Sequence, residues 1–416
     1  MRFRLSRLLL ALALATPFLA ACDSGGPEVQ LGALRVEVRL PEGYAQPGAP
    51  GAALTLTAQA DGTTRTATTN DAGEATFTDL LPGIYSLTAR LSLSEDAAFA
   101  LTGLRQAVEL NASEPAVTLP ASEPVVLQLA GSALGGLVIK EVYYTGSRTP
   151  GGGNYFSDQF VEIVNNSTET IFADGLMIAD VFGVSGQINP GSQPTPFQSD
   201  QNHVYVNSVW RVPGSGQEHP IPPGGSLLIA QDGIDHRTDP LGNPNSPVDL
   251  SSADWETFNQ RDDGRDIDSP TVPNLERLYF TGGFDWLLPV FGPGVVIFRA
   301  PDFDALARVP IPGSSLPERI QVPIGLVIDA FEALQNPQSG AFKRIPVALD
   351  AGFVSASGTY TSESARRRVA RVVAGRTVYQ DTNNSSADFE IISPPTPRSG
   401  QALRGTPTRV FARQTR

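Results

Sequence analysis

Apolar and polar residues alternate along this chain in short runs with a period of two. Leu34, Val36, Val38 and Leu40 are interleaved with Arg35, Glu37 and Arg39, the pattern of a strand with one buried face. The alternation returns over residues 53–58 and 84–91, and Asn70-Asp71-Ala72-Gly73 between them predicts a tight turn. Further along, strands are predicted at Lys140–Tyr144, at Phe160–Asn166 running into a turn, at Asp174–Asp180, and in "IPPGGSLLIAQD" after a Pro-Gly-Gly turn. Residues 365–376 read as a hairpin turning at Gly375, with Val369, Val372 and Val373 facing inward. Near the end, Asp381 to Ser386 predict a polar turn, Phe389 and Ile391 the inward positions of a last strand, and the prolines that follow a stop. With 40 Gly and 35 Pro in 416 residues, the chain reads as a turn-rich all-β protein of two β-sandwich domains.

The N-terminus breaks this pattern. Arg2, Arg4 and Arg7 precede an apolar stretch from Leu8 to Leu19, the layout of an export signal and too short for a stop-transfer helix. It ends at Leu19-Ala20-Ala21-Cys22, which resembles the lipobox of bacterial lipoproteins. That resemblance implies a signal peptide over 1–21, lipidation of Cys22 and a membrane partner reached through the lipid anchor. Cys22 is the only cysteine, so no disulfide forms within the chain and the fold rests on burial, which this length supplies readily. Asp23 resembles an inner-membrane retention signal of enteric lipoproteins, whereas other lineages sort differently. The localisation expected is the outer membrane, on its periplasmic or cell-surface face. Residues 22–33 read as a linker; the Asp23-Ser24-Gly25-Gly26 string has no strand before it and no His partner nearby, so it is not a protease nucleophile.

Two domains follow. The Gly73, Phe77, Leu80 and Pro82-Gly83-Ile84-Tyr85 spacing resembles carboxypeptidase-regulatory-like and Cna-B-like domains, implying a small prealbumin-like sandwich over 34–130 that acts as a spacer. No Lys precedes Lys140, so the internal Lys–Asn crosslink of some Cna-B domains is excluded. Over 134–400, "EVYY", "FVEIVNN" and the closing Asn383, Asn384, Ala387-Asp388-Phe389 and Pro395-Thr396-Pro397 resemble the lamin-tail type of immunoglobulin-like sandwich. Opening and closure are much further apart than in a simple module of that type, so long loops are inserted between Val181 and Arg376. "KEVYYTGS", "LLIAQDGIDH", "NPNSPVDLSSADWE", "KRIPVALDAGF" and "GRTVYQDTNNSSADFE" together resemble the domain-of-unknown-function 4876 family, which has no established activity, so the resemblance implies an envelope address rather than a mechanism. Residues 401–416 form a basic tail.

The formal net charge is −13, and losing three arginines with the leader makes the exported part more acidic still. Nucleic acid is therefore excluded as a partner, because such binding neutralises phosphates with Lys and Arg. From Thr361 onward, ten Arg stand against four acids; these arginines are expected to pair with the acidic remainder. No nucleophile elbow, phosphate loop, dinucleotide fingerprint or His-Glu-x-x-His motif occurs, and the chain is read as not an enzyme. The candidate ligand-binding residues are Asp232, Asp235, His236 and Asp239, in a loop directly after a buried strand, together with Trp286 in an apolar run. The four polar residues either hold a divalent cation or shape turns through their own backbone, and turn shaping is the better supported. Asp254, Asp262, Asp263, Asp266 and Asp268 superficially match an EF-hand, but Gly264 is misplaced and the final Glu is missing. No cofactor and no metal site are expected beyond weak calcium in these acidic loops. The function expected is a membrane-anchored, non-enzymatic binding or adhesion module whose envelope or extracellular ligand the sequence does not identify. The alternative is an accessory lipoprotein beside an outer-membrane nutrient transporter, and a carboxylate-dependent hydrolase ranks last.

Overall fold

The structure is a computed structural model that describes residues 30–399, other than 42–43, 103–107, 134–135, 168, 263–265, 287 and 374. The leader, Cys22, most of the linker and the basic tail lie outside the described residues. Among the described residues, no helix is long and apolar enough to cross a membrane.

The first domain is a β-sandwich. In its smaller sheet, Gly32–Arg39 pairs antiparallel with Glu74–Leu80 and parallel with Val125–Gln128. The larger sheet runs Thr64–Thr68, Ala53–Ala58, Gly83–Leu93, Val108–Leu119, Ala130–Ala133. Leu34, Val36 and Val38 meet Leu54, Leu56 and Leu87 in the core, as the period-two pattern requires. At the predicted turn, Asn70 Oδ1 accepts from the amides of Ala72 and Glu74 at 3.0 and 2.9 Å. Gly73 there has φ +84°, a conformation that favours glycine. A helix at Glu95–Thr102 was not anticipated; Ser94 caps it, accepting from Ala97 N at 3.3 Å.

The second domain is a larger sandwich. One sheet runs Trp255–Glu256, Ser226–Ala230, Phe160–Asn165, Leu137–Tyr143, Ser364–Arg367, Phe389–Ile392. The other runs Ala307–Val309, Arg319–Pro323, His203–Arg211, Met177–Val181, Gly294–Phe298, Val327–Glu332, with Glu276–Tyr279 also on His203–Arg211. Ile139, Val142, Val161, Ile163 and Ile229 of the first sheet face Ile178, Trp210, Val295, Ile297 and Phe331 of the second. The outer faces are covered too. Val248, Leu250 and Val272 from loops cover Tyr143, Phe160 and Leu228, and Phe303, Ile345 and Leu349 pack with Val204, Val296 and Phe298. Strands buried on both faces lose the alternation of half-buried ones, as in Ser226–Ala230 and Gly294–Phe298.

The polar residues of the two opening strands are buried rather than solvated. Glu162 faces Glu141 while Ile163 faces Ile139, so Lys140 is the extra residue of a β-bulge. Lys140 Nζ donates to Glu162 Oε2 at 2.9 Å and to Ser399 O at 2.7 Å. Glu141 accepts from Thr396 N and from the Ser364 hydroxyl, and Glu162 from Arg398 N. The proline-rich end is thus a strap laid over the sheet and pinned from below. Before it, Asn384 caps a helical turn at Ser385–Asp388, and Phe389 enters the core while Ile391 packs against it.

The hairpin of Val369–Val373 and Arg376–Tyr379 forms as expected, but Val369 and Val372 do not face inward, and the side chain of Val373 lies outside the described residues. Val369 and Val372 are 55% and 64% exposed, because the second strand makes the contact with the domain. Tyr379 packs on Val138 and Val164, and its amide donates to Asn166 Oδ1 at 2.8 Å.

Candidate functional site

Three of the inserted loops meet at one end of the Ser226–Ala230 strand. The chain leaves the sheet at Gln231, whose amide still donates to Gln159 O at 3.0 Å, and Asp232 follows inside the domain at 1% exposure. The loop before Glu276–Tyr279 contributes Asp266, whose Oδ2 accepts from Asn259 N at 2.8 Å. The loop after that strand contributes Asp285, which accepts from the side-chain amide of Gln231. One oxygen from each of Asp232, Asp266 and Asp285 lies within 4.8 Å of the others, and all three residues are buried.

Glu256 fixes the frame around this group. Its carboxylate accepts from Gly233 N at 2.6 Å and from Ser269 N at 2.7 Å, tying both acidic loops to one residue. Gly233 is required there, since a Cβ would sit 2.7 Å from Val272 and 2.9 Å from Glu256 Oε2. Burial and mutual repulsion disfavour the charged forms. Burial, then the charges of Asp285 and Asp266, hold Asp232 well above the usual carboxylate range. Burial, then Asp285, pushes Asp266 up to about 8, and burial pushes Asp285 to about 6 and Glu256 to about 7.

The quartet expected from sequence does not assemble. Asp232 turns inward, whereas Asp235 pairs with Arg237 at 2.8 Å and accepts from the Thr238 hydroxyl at 3.0 Å. Asp239 Oδ1 accepts from Leu241 N at 2.8 Å, so Asp235 and Asp239 shape turns. His236 is fully buried; its Nε2 lies 3.1 Å from Asp232 O and its Nδ1 2.8 Å from the Tyr155 hydroxyl. Both ring nitrogens are engaged, and burial pulls its pKa down to about 4, leaving a neutral structural imidazole. Trp286 is a core residue rather than a surface one, with its Nε1 donating to Asp180 Oδ1 at 2.9 Å. Of the other acids in the second loop, Asp268 accepts from Asn274 at 2.9 Å and Asp254 from Leu228 N at 2.8 Å. Sequence reasoning missed Asp285 and Gln231. The available signal was a lone carboxylate inside the apolar run from Phe284 to Phe291.

A second acidic group, Asp174, Glu218 and His219, is already used. Asp174 accepts from the amides of Gly216, Glu218 and His219. Burial acts to raise its pKa, but those amides outweigh it and hold the carboxyl at about 2.

Residues 222–396 match the family model of a protein of unknown function, DUF4876, and residues 34–129 match that of the carboxypeptidase regulatory-like domain. No curated protein matches the chain. A crystal structure of a DUF4876 family protein from Bacteroides thetaiotaomicron is similar at 27% identity, with 89% of this chain and 97% of that chain covered and a TM-score of 0.58. A candidate adhesin from the same organism aligns at 8% identity over 71% of this chain and 81% of its own, with a TM-score of 0.18 that is too low to bear on the fold. The chain is therefore similar to the carboxypeptidase regulatory-like domain over residues 34–129 and to DUF4876 proteins over residues 222–396.

Proposed function

We propose that this protein is a lipid-tethered, non-enzymatic binding module of the bacterial envelope, in which the first sandwich is a spacer and the loops of the second present a recognition surface. The observation that carries the reading is how the buried acids are used. Asp158 accepts from the hydroxyls of Tyr143, Ser147 and Ser246 at 3.2, 2.7 and 2.8 Å. Glu332 holds Lys343 and Arg344 at 2.8 and 3.1 Å, and Asp350 holds the amide of Ser385 at 2.7 Å. The contacts to Ser246, Lys343, Arg344 and Ser385 each fasten an inserted loop to the rest of the domain. Loops fixed in advance lose little entropy on binding, the condition for an efficient recognition surface. The tether is supported by the Leu19-Ala20-Ala21-Cys22 sequence, and two or more acyl chains at about 0.8 kcal/mol per buried CH₂ give stable anchoring.

Two measurements test this. Cys22→Ala is expected to leave unprocessed precursor and abolish fatty-acid labelling, and continued labelling would refute the tether. Purified protein presented to arrayed glycans and to extracellular and envelope proteins is expected to show saturable binding to one class. Absence of saturable binding across all of them would refute the recognition role.

A further inference from the structure

We infer that Asp232, Asp266, Asp285 and Gln231 form a binding site for one calcium ion that staples three loops of the second sandwich. Clustered acids alone would not carry this. The independent observation is the state of the remaining atoms. Oδ1 of Asp232, of Asp266 and of Asp285 has no hydrogen-bond partner, and neither has Oε1 of Gln231, a residue only 2% exposed. Gln231 reaches into the group, since its Nε2 donates to Asp285. Buried acceptors are normally satisfied, and each one left open costs roughly 1–3 kcal/mol. The three carboxylates that lie together each carry such an oxygen, and Gln231, hydrogen-bonded to Asp285, carries a fourth, which calls for one shared positive partner.

Among the described residues, none of the main charges acting on Asp232 and Asp266 is positive. The strongest charges acting on Asp232 are those of Asp285, Asp266 and Glu256, and on Asp266 those of Asp285, Glu256 and Asp268, all negative. A cation among them adds an attraction to each carboxylate that offsets these repulsions. Glu256 is the frame rather than a ligand, because both its oxygens already accept backbone amides.

The donor set selects the ion. It consists of carboxylate and amide oxygens only, the preference of hard cations. Zinc favours nitrogen and sulfur, and the one imidazole beside Asp232 has both nitrogens engaged. Magnesium demands near-ideal octahedral geometry and keeps several waters, whereas calcium accepts flexible oxygen cages. The ligands come from positions 231–232, 266 and 285, so the ion closes loops that no disulfide can close in a chain with one cysteine. This site stands whether or not the recognition role does, because it is read by the metal alone.

The test uses the purified protein stripped with EGTA and titrated with CaCl₂, MgCl₂ and ZnCl₂ by calorimetry. TbCl₃ is added separately, with emission excited through Trp286, the residue after Asp285. One Ca²⁺ per chain is expected, together with Tb³⁺ emission that Ca²⁺ quenches by competition. At a hundredfold excess of Ca²⁺ over Kd, the melting temperature should rise by about 5 °C or more. Asp266→Asn should weaken Ca²⁺ binding by about tenfold or more, since ligand charge count sets affinity in such sites. Asp268→Asn, an exposed acid of the same loop, should leave it within about threefold. Should Asp266→Asn not fold, the terbium and melting measurements on the unmodified protein decide. No calcium heat with no terbium emission at millimolar ion would overturn the inference and leave the carboxyls protonated. Tighter binding of Zn²⁺ or Mg²⁺ than Ca²⁺ would overturn it equally.

Discussion

Arg367 offers the sharpest test of how the second sandwich is held together. Its side chain is 1% exposed and lies 2.5 Å from Asp329, 3.1 Å from Asp381 and 3.6 Å from Asp388. Its Nε donates to Ile139 O at 2.7 Å, and the guanidinium sits 4.6 Å from the centre of the Phe389 ring. Arg367 therefore joins the opening strand, the second sheet through Asp329, and the closing turn. Burial opposes its charge, but the three carboxylates outweigh that effect and hold the pKa above its ordinary value. Arg367→Met keeps the volume and removes the cation, leaving several buried acids uncompensated. Breaking a buried ion pair from one side costs roughly 3–5 kcal/mol. At about 2–4 °C per kcal/mol for a domain of this size, the melting temperature should fall by ~6–20 °C. The assay is tryptophan fluorescence during heating, which reports this domain alone because Trp210, Trp255 and Trp286 all lie in it. Adding Asp329→Asn removes one of the stranded charges and should recover part of the loss. A fall of less than about 2 °C, or a double variant no more stable than the single one, would refute the reasoning.

Glu162→Gln, which strands Lys140 beneath the C-terminal strap, should cost roughly 3–5 kcal/mol and speed proteolysis after Ile392; unchanged cleavage would show that the strap is held otherwise. Burial raises Asp158 to about 6, and the Ser147, Ser246 and Tyr143 hydroxyls only partly offset it. The folded state thus binds this proton more tightly than the unfolded one. Its contribution is complete below about pH 4 and lost as the pH rises through about 6, worth at most ~3 kcal/mol. Urea unfolding of Asp158→Asn should show a flatter decline across that window, and an unaltered slope would refute the assignment. Asp174, held at about 2, contributes in the opposite sense, present above about pH 4 and lost as the pH falls through about 2. Asp174→Ala should lose roughly 1–3 kcal/mol for the stranded amides, visible as faster hydrogen exchange at Gly216, Glu218 and His219.

The sequence alone determined what depends on neighbouring residues. The half-buried strands of the first domain follow from period-two alternation, because successive side chains point to an apolar and a wet face in turn. The Asn70–Gly73 turn follows from a side-chain acceptor and a glycine that takes positive φ. The hairpin around Gly375 was legible for the same reason, but its inward face was not. Val369 and Val372 look like core by composition, and only the docking of Tyr379 turns them outward. The sequence places Lys140, Glu141 and Glu162 on two strands without saying what covers them, and the strap at residues 396–399 buries them. Asp232 was singled out with Asp235, His236 and Asp239, yet the acids that lie beside it are at positions 266 and 285. No spacing rule joins these positions, because the distances between them are set by the paths of three loops over a sandwich. Local periodicity and turn chemistry are encoded within a few residues and survive in the string. Which acid meets which, and under what cover, depends on long-range closure of the chain, and the tertiary structure alone decides it.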